Sequence, residues 1–412
     1  MKKYVDHSWD FSSANTKYLT HGVHSYPAMM IPQVARRLIA EHGKNAKQAL
    51  DPFCGSGSVL LEFKLAGIDC FGVDINPLAV MVSQVKNRPL PPALLQKRWA
   101  TITQKISEYS LDKYKPLIDF PNLSFWFKPQ VIRDLTAIRR AIDIEKNMYV
   151  KEFFLVCFSE TVRKASNTRG GEFKLYRIAE DKLKTHNPEA FKIFSKIVER
   201  NIAGMTSLYD FCSQKKTGSV KVIHFDVTEQ TKIPAQSIDL VVTSPPYGDS
   251  RTTVAYGQFS RLSLQWLDLS EEKVRNLDKR MLGGKPASSC IFNFKSPTLE
   301  KIIKAVSKQD DLRAREVLSF YIDFHKAAVE INRLMRPKAT ICLVVGNRTV
   351  KGIKIPTDEI MAEIFEELGY SHRETIVRRI PSKKMPRRNS PTNVKGATIS
   401  TMNEENLVIL TR

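Results

Sequence analysis

With 412 residues, 42% of them hydrophobic, the chain can bury a genuine core, which excludes a natively disordered protein. A formal charge of +21 is far from the globular norm and points to a polyanionic partner, nucleic acid above all. The six cysteines contain no C-x-x-C pair, which excludes a zinc cluster and a disulfide scaffold. No stretch is apolar for long enough to span a membrane, so the chain reads as a cytoplasmic protein without metal.

In chain order, strand-like runs alternate with helical ones, the pattern of an α/β fold. Gln48-Ala49-Leu50-Asp51 reads as a short strand running into the turn Pro52-Phe53-Cys54-Gly55-Ser56-Gly57. A helix over 59–63 ends at Gly67, and 68–73 returns as the next strand, closing a βαβ unit at Asp74. Residues 85–215 break this alternation; long, basic and mainly helical, they read as an inserted lobe entered through Pro89, Pro91 and Pro92. Strands resume at 221–225 and 238–242, and 250–315 reads as a long irregular loop. Helical periodicity over 320–335 stops at Pro337, 339–345 is strand-like and 358–368 helical, and 375–377 with 407–410 reads as a terminal antiparallel pair. The chain divides accordingly into 1–84, the insert 85–215, and 216–412.

Two turns at strand ends carry the chemistry. In 51–57 the glycines permit close backbone approach, and a helix N-terminus follows; yet Asp51 at its opening would repel phosphate and welcome a positive centre. There is no Gly-Lys-Ser/Thr ending, and Leu60 stands where a dinucleotide fingerprint needs its third glycine. Asp74, at the end of the next strand, is where a carboxylate can accept from ribose hydroxyls. The second turn is Thr243-Ser244-Pro245-Pro246-Tyr247. Two prolines cannot extend a central strand, so the chain must leave the sheet there as a rigid loop. Its free carbonyls and aromatic ring, with no obvious nucleophile, suit an amino group on a flat base.

Asp-Pro-Phe-Cys-Gly-Ser-Gly, then Gly72-Val73-Asp74-Ile75-Asn76-Pro77, then Thr-Ser-Pro-Pro-Tyr together resemble the S-adenosylmethionine-dependent DNA amino-methyltransferases of restriction–modification systems. Serine before Pro-Pro-Tyr resembles the cytosine-N4 enzymes; adenine-N6 enzymes more often carry Asp or Asn there. The resemblance implies a doubly wound, Rossmann-like sheet with a mainly helical inserted lobe that recognises the target. Asp51, Phe53, Gly55 and Gly57 would surround the methionine part of the cofactor, Asp74 its ribose, and Ile75 and Asp226 its adenine. Residues 24–32, with Tyr26 and Pro27, resemble the family's extra cofactor-contacting motif. For Asp226 a strand-end cap is an equal reading, and for 24–32 a plain loop and helix start.

The implied reaction is a direct, in-line displacement on a base flipped out of duplex DNA, the partner polymer. Ser244 and the Pro245 carbonyl would accept the two amino hydrogens, Pro246 would stiffen the loop, and Tyr247 would stack on the base. Ring-carbon methylation needs a thiolate, usually after proline, and no cysteine here follows proline; Cys54 reads as a small packed residue. Arg163, Lys164 and Arg169 form one candidate phosphate-binding stretch, and Arg378-Arg379, Lys383-Lys384 and Arg387-Arg388 another; Arg251, Tyr256 and Arg261 lie just beyond the catalytic loop. Trp126 reads as core packing of the insert ahead of base stacking. A cognate restriction endonuclease would be a functional partner. Adenine-N6 methylation, RNA amino-methylation and a decayed DNA-binding scaffold are the alternatives.

Overall fold

A computed structural model describes residues 2–108, 117–170, 173–248, 254–381, 388–389, 399–400 and 403–412. Its centre is an eight-stranded sheet. The strands in chain order are β1 (Lys3–Val5), β2 (Gln48–Asp51), β3 (Asp69–Asp74), β4 (Val220–His224), β5 (Ile238–Thr243), β6 (Met335–Val345), β7 (Ser371–Arg379) and β8 (Glu404–Thr411). They lie in the spatial order β1-β7-β8-β6-β5-β2-β3-β4. Strands β4, β3, β2, β5 and β6 are mutually parallel, while β8 runs antiparallel to both β6 and β7. The expected terminal pair is seen in register, with Leu407 opposite Ile376 and Val408 opposite Thr375.

Both faces of the sheet are covered, so its central strands are near-continuous apolar runs. Leu240, Val242, Cys342 and Val344 pack on α1 (Pro32–His42) and α2 (Ser58–Leu65) on one face. The alternate residues Val241, Ile341 and Leu343 pack on the other face against α11 (Asp311–Leu334) and α12 (Thr357–Glu367). The period of two along each strand therefore feeds two separate cores.

The first βαβ unit folds as its sequence demands. Gly57 enters α2 at φ 76°, and a Cβ there would lie 2.2 Å from Ser83 Oγ, so glycine is required twice over. Asn76 accepts from the Leu78 amide and Pro77 opens α3 (Pro77–Asn87), a side-chain cap followed by a residue whose missing N–H costs nothing.

The insert is helical throughout its longer described elements: α4 (Pro92–Ser107), α5 (Pro129–Asp143), α6 (Met148–Ala165) and α7 (Ala190–Gln214). Their apolar faces form one cluster with Leu61 of α2, Leu78 and Val82 of α3, and Leu262, Leu264 and Trp266. They thus add a further layer outside α2 and α3.

The long irregular loop expected over 250–315 is a correction. It contains α8 (Tyr256–Trp266), α9 (Glu271–Arg280) and α10 (Pro297–Ser307), and α11 begins within it. Helix α8 buries Phe259, Leu262 and Trp266 but interleaves them with Gly257, Ser260 and Ser263, and α9 buries only Val274 and Leu277, so the apolar stripe of each is short and diluted. Likewise β6 begins at Met335, ahead of Pro337, where the register with β5 shifts and Lys338 takes φ 66°.

Candidate active site

Because β2, β3, β4 and β5 are parallel, their carboxyl ends meet along one edge. A cleft open to solvent at its mouth lies there. Asp51, Phe53, Gly55, Asp74, Ile75, Asp226, Ser244 and Pro246 line it, together with Tyr26 and Pro27. Residues read from five separate places in the chain are thereby brought to one concavity, where ligands of open α/β sheets bind.

At one end, the glycine turn closes on Asp74. The Gly55 amide donates to Asp74 Oδ2 at 2.8 Å and the Asn76 amide to Oδ1 at 2.7 Å. Each carboxylate oxygen keeps lone-pair capacity for a further donor. Burial pushes the Asp74 carboxyl up to about 6. Asp51 is 2% exposed and accepts from Thr243 Oγ1 at 2.6 Å and from the Phe53 amide at 3.2 Å, tying the end of β2 to the end of β5. Burial pushes its carboxyl up to about 7. Two carboxyls held above their usual range, Asp51 buried and Asp74 half-buried, make this end receptive to a cation. Phe53 stacks on Phe324 with centroids 6.4 Å apart. Gly57 sits behind the lining, and its part is to shape the turn.

Asp226 serves its local turn, Oδ1 accepting from the Thr228 amide at 3.0 Å and from Thr228 Oγ1 at 2.7 Å, and the residue also lines the cleft. The cap and the lining position coexist. Tyr26 is buried, its hydroxyl accepting from Asn76 Nδ2 at 2.9 Å and its ring stacked on Tyr256 at 5.9 Å. Cys54 is buried, and burial drives its thiol well above the usual range, which leaves it a packed, protonated residue.

At the other end, Ser244, Pro246 and Gly248 line the cleft, and Pro245 is buried. Tyr247 is half-buried beside them; its hydroxyl lies 3.1 Å from Ser244 Oγ and donates to Glu405 Oε1 at 3.2 Å. Glu405 is paired with Arg378 at 2.8 Å.

The basic residues are dispersed. Arg163 is half-buried, stacked over Phe259 at 4.2 Å, and donates to the Phe259 carbonyl. Burial lowers its guanidinium to about 10. Lys164 is exposed and pairs with Glu160 at 2.8 Å; Arg169 is exposed over Tyr176. Arg378 is a correction: its side chain is 3% exposed and ion-paired, so it cannot meet a phosphate on the surface. Arg251, Lys383, Lys384 and Arg387 lie outside the described residues, and of Arg388 only the backbone, paired with Ser400, is described. Trp126 packs against the insert's core, and Phe125 beside it is exposed under Arg177.

Several lining or supporting residues had no legible signal. Met281 and Leu282 reach the cleft from the end of α9. Lys86, fully buried on α3, donates to Ser56 Oγ and Ser58 Oγ at 3.1 Å each, and burial lowers it to about 7. A lysine within an amphipathic helix reads as surface. Tyr256 was legible only as a residue following the catalytic loop.

The sequence profile of the DNA methylase family N6_N4_Mtase matches residues 1–84. Over 421 aligned residues the chain is 43% identical to Type II methyltransferase M.MvaI of Kocuria varians, covering 97% of this chain and 92% of that protein. It is 21% identical to Type II methyltransferase M.AvaI of Nostoc sp. over 84% of this chain and 77% of that one. Among solved structures, the rRNA methyltransferase aviRa of Streptomyces viridochromogenes matches at 10% identity and a TM-score of 0.31, covering 95% of this chain and 89% of that one; so remote a likeness carries no argument.

Proposed function

The chain belongs to the N6/N4 DNA methyltransferases of the type II class, and on that premise we propose that it methylates the exocyclic N4 of cytosine at a specific site in duplex DNA. Its methyl donor is S-adenosylmethionine, which supplies the methyl group as an electrophilic carbon on a sulfonium. The observation that carries the base-amino reading is the presence of Ser244 on the same cleft as Asp51 and Asp74.

We assign the residues as follows. Asp74 accepts from the ribose hydroxyls, Ile75 and Asp226 receive the adenine, and Asp51, Phe53 and Gly55 surround the methionine part, with Tyr26 and Pro27 closing over it. The raised carboxyls of Asp51 and Asp74 support this, since a bound positive centre favours their ionised forms. Ser244 Oγ and the Pro245 carbonyl accept the amino hydrogens of the target base. A base amino group is a poor nucleophile because its lone pair is delocalised into the ring. Acceptors aimed at both hydrogens favour the pyramidal nitrogen of the transition state, which is electrostatic positioning. The Tyr247 ring stacks on the base. Since the cleft is concave and the amino group of intact duplex is tied into a base pair, the base must be extruded to reach it. Exposed basic residues, Lys164 and Arg169 among them, contribute to holding the DNA backbone. A nuclease sharing the recognition site is the functional counterpart.

Nucleoside mass spectrometry of duplex DNA methylated by the purified protein tests this reading. N4-methylcytosine is expected. N6-methyladenine would overturn the choice of base, and methyl transfer to RNA alone would overturn the choice of substrate.

A further inference from the structure

Ser244 can turn its hydroxyl either way, and only one orientation suits an amino group. The hydrogen-bond chain behind it selects that orientation. Arg378 and Glu405 stand directly opposite each other on β7 and β8, and Arg378 Nη1 donates to Glu405 Oε2 at 2.8 Å. A carboxylate so paired is an acceptor only. Tyr247 therefore donates its proton to Glu405 Oε1, at 3.2 Å. Burial first, and then the Glu405 charge, push the Tyr247 phenol well above its usual pKa, so the proton stays on it. With that proton committed, the Tyr247 oxygen can meet Ser244, 3.1 Å away, only as an acceptor. Ser244 must donate to Tyr247, which leaves its lone pairs for the cleft.

We propose that Arg378 and Glu405 act through Tyr247 as positioning residues that fix Ser244 as a hydrogen-bond acceptor, so that the site admits a base bearing an amino group and rejects one bearing a carbonyl at the same place. This rests on the base-amino reading above and adds the part of the molecule that enforces it. Cytosine offers an N–H there, whereas thymine would set a carbonyl oxygen against the Ser244 lone pairs. The antiparallel course of β8 makes the arrangement reachable: its first residues stand at the edge where the parallel strands end.

The test is single-turnover methyl transfer onto duplex DNA by the full chain, at saturating cofactor, for Tyr247→Phe, Glu405→Gln and their double variant. Tyr247→Phe keeps the ring and loses only the link. Each single variant is expected to slow transfer about tenfold, the order of one well-made hydrogen bond to a charged group. Cofactor affinity by calorimetry and KM for DNA should stay within about twofold of wild type. The double variant should be no slower than either single one, because all act through one chain. Glu405→Asp should recover part of the rate. Wild-type rates for Tyr247→Phe or Glu405→Gln would overturn the proposal, as would additive losses or a parallel fall in cofactor affinity. Ser244→Ala distinguishes the levels of failure: if it is slow while the other two are fast, only the orienting chain is wrong; if it too is fast, the base-amino reading falls with it.

Discussion

At the Asp74 end of the cleft the contacts are local: Gly55 reaches Asp74, and Asp74 reaches Asn76, within one βαβ unit. At the Ser244 end, Tyr247 reaches a glutamate 158 residues further along the chain, which is held in turn by an arginine on a neighbouring strand. The Gly55–Asp74–Asn76 contacts need only β2, α2 and β3 packed together, whereas Asp51 beside them is tied to Thr243 at the end of β5. The second end needs β5, β7 and β8 all in register, and so depends on the closure of the whole sheet. Two halves of one reaction site can thus differ in origin: one is largely a local motif, the other a product of topology.

Variants can break the comparison apart. The largest effect is expected for Ser244→Ala, which should slow methyl transfer by about 10²- to 10³-fold, as when one preorganised transition-state partner is removed. Calorimetric affinity for S-adenosylhomocysteine should not change; a large fall in affinity would mean that the two ends are not separable. Next, Asp74→Ala should weaken cofactor binding by about tenfold or more, the scale of lost hydrogen bonds to a charged acceptor. Transfer at saturating cofactor should remain close to wild type, and an unchanged affinity would remove Asp74 from the ribose.

A smaller effect concerns pH. An aspartate carboxyl that titrates near 4 when unfolded and near 7 in the folded chain takes up a proton on folding between those values. Asp51 therefore erodes stability as pH rises from about 4 to about 7, and the whole loss is present above that. Without cofactor, Asp51→Asn should melt at a higher temperature than wild type at pH 8, and the gap should narrow at pH 5. A gap of equal size at both pH values would contradict a protonated, buried Asp51. The smallest effect is expected for Arg169→Ala, which should lower the salt dependence of DNA binding by roughly one unit of slope. An unaltered slope would move that phosphate contact elsewhere.

Much of the fold could be read from the residues because the signals are local. Asp51 and Asp74 each end a strand, Gly55 and Gly57 require left-handed backbone, and the prolines at 245 and 246 end β5. The antiparallel pairing of β7 with β8 could be read from their apolar runs. Other parts lacked such signals. Helices α8 and α9 were hidden because α8 mixes glycine and serine into its buried apolar face and α9 is mostly charged. Glu405 and Arg378 look like ordinary surface charges; only their cross-strand register joins a buried arginine to a half-buried glutamate. Lys86 is similar, since nothing on its own helix marks it as facing Ser56 and Ser58. Residues whose meaning comes from partners distant in sequence are invisible until the sheet is assembled.

The central claim is that cofactor and target base meet at the carboxyl edge of the sheet, between Asp74 and Ser244. A crystal structure with S-adenosylhomocysteine tests it most directly. The account predicts ribose hydroxyls on the Asp74 carboxylate, with the thioether sulfur turned toward Ser244. A nucleoside bound elsewhere, or a sulfur facing away from the Pro245–Pro246 loop, would contradict it.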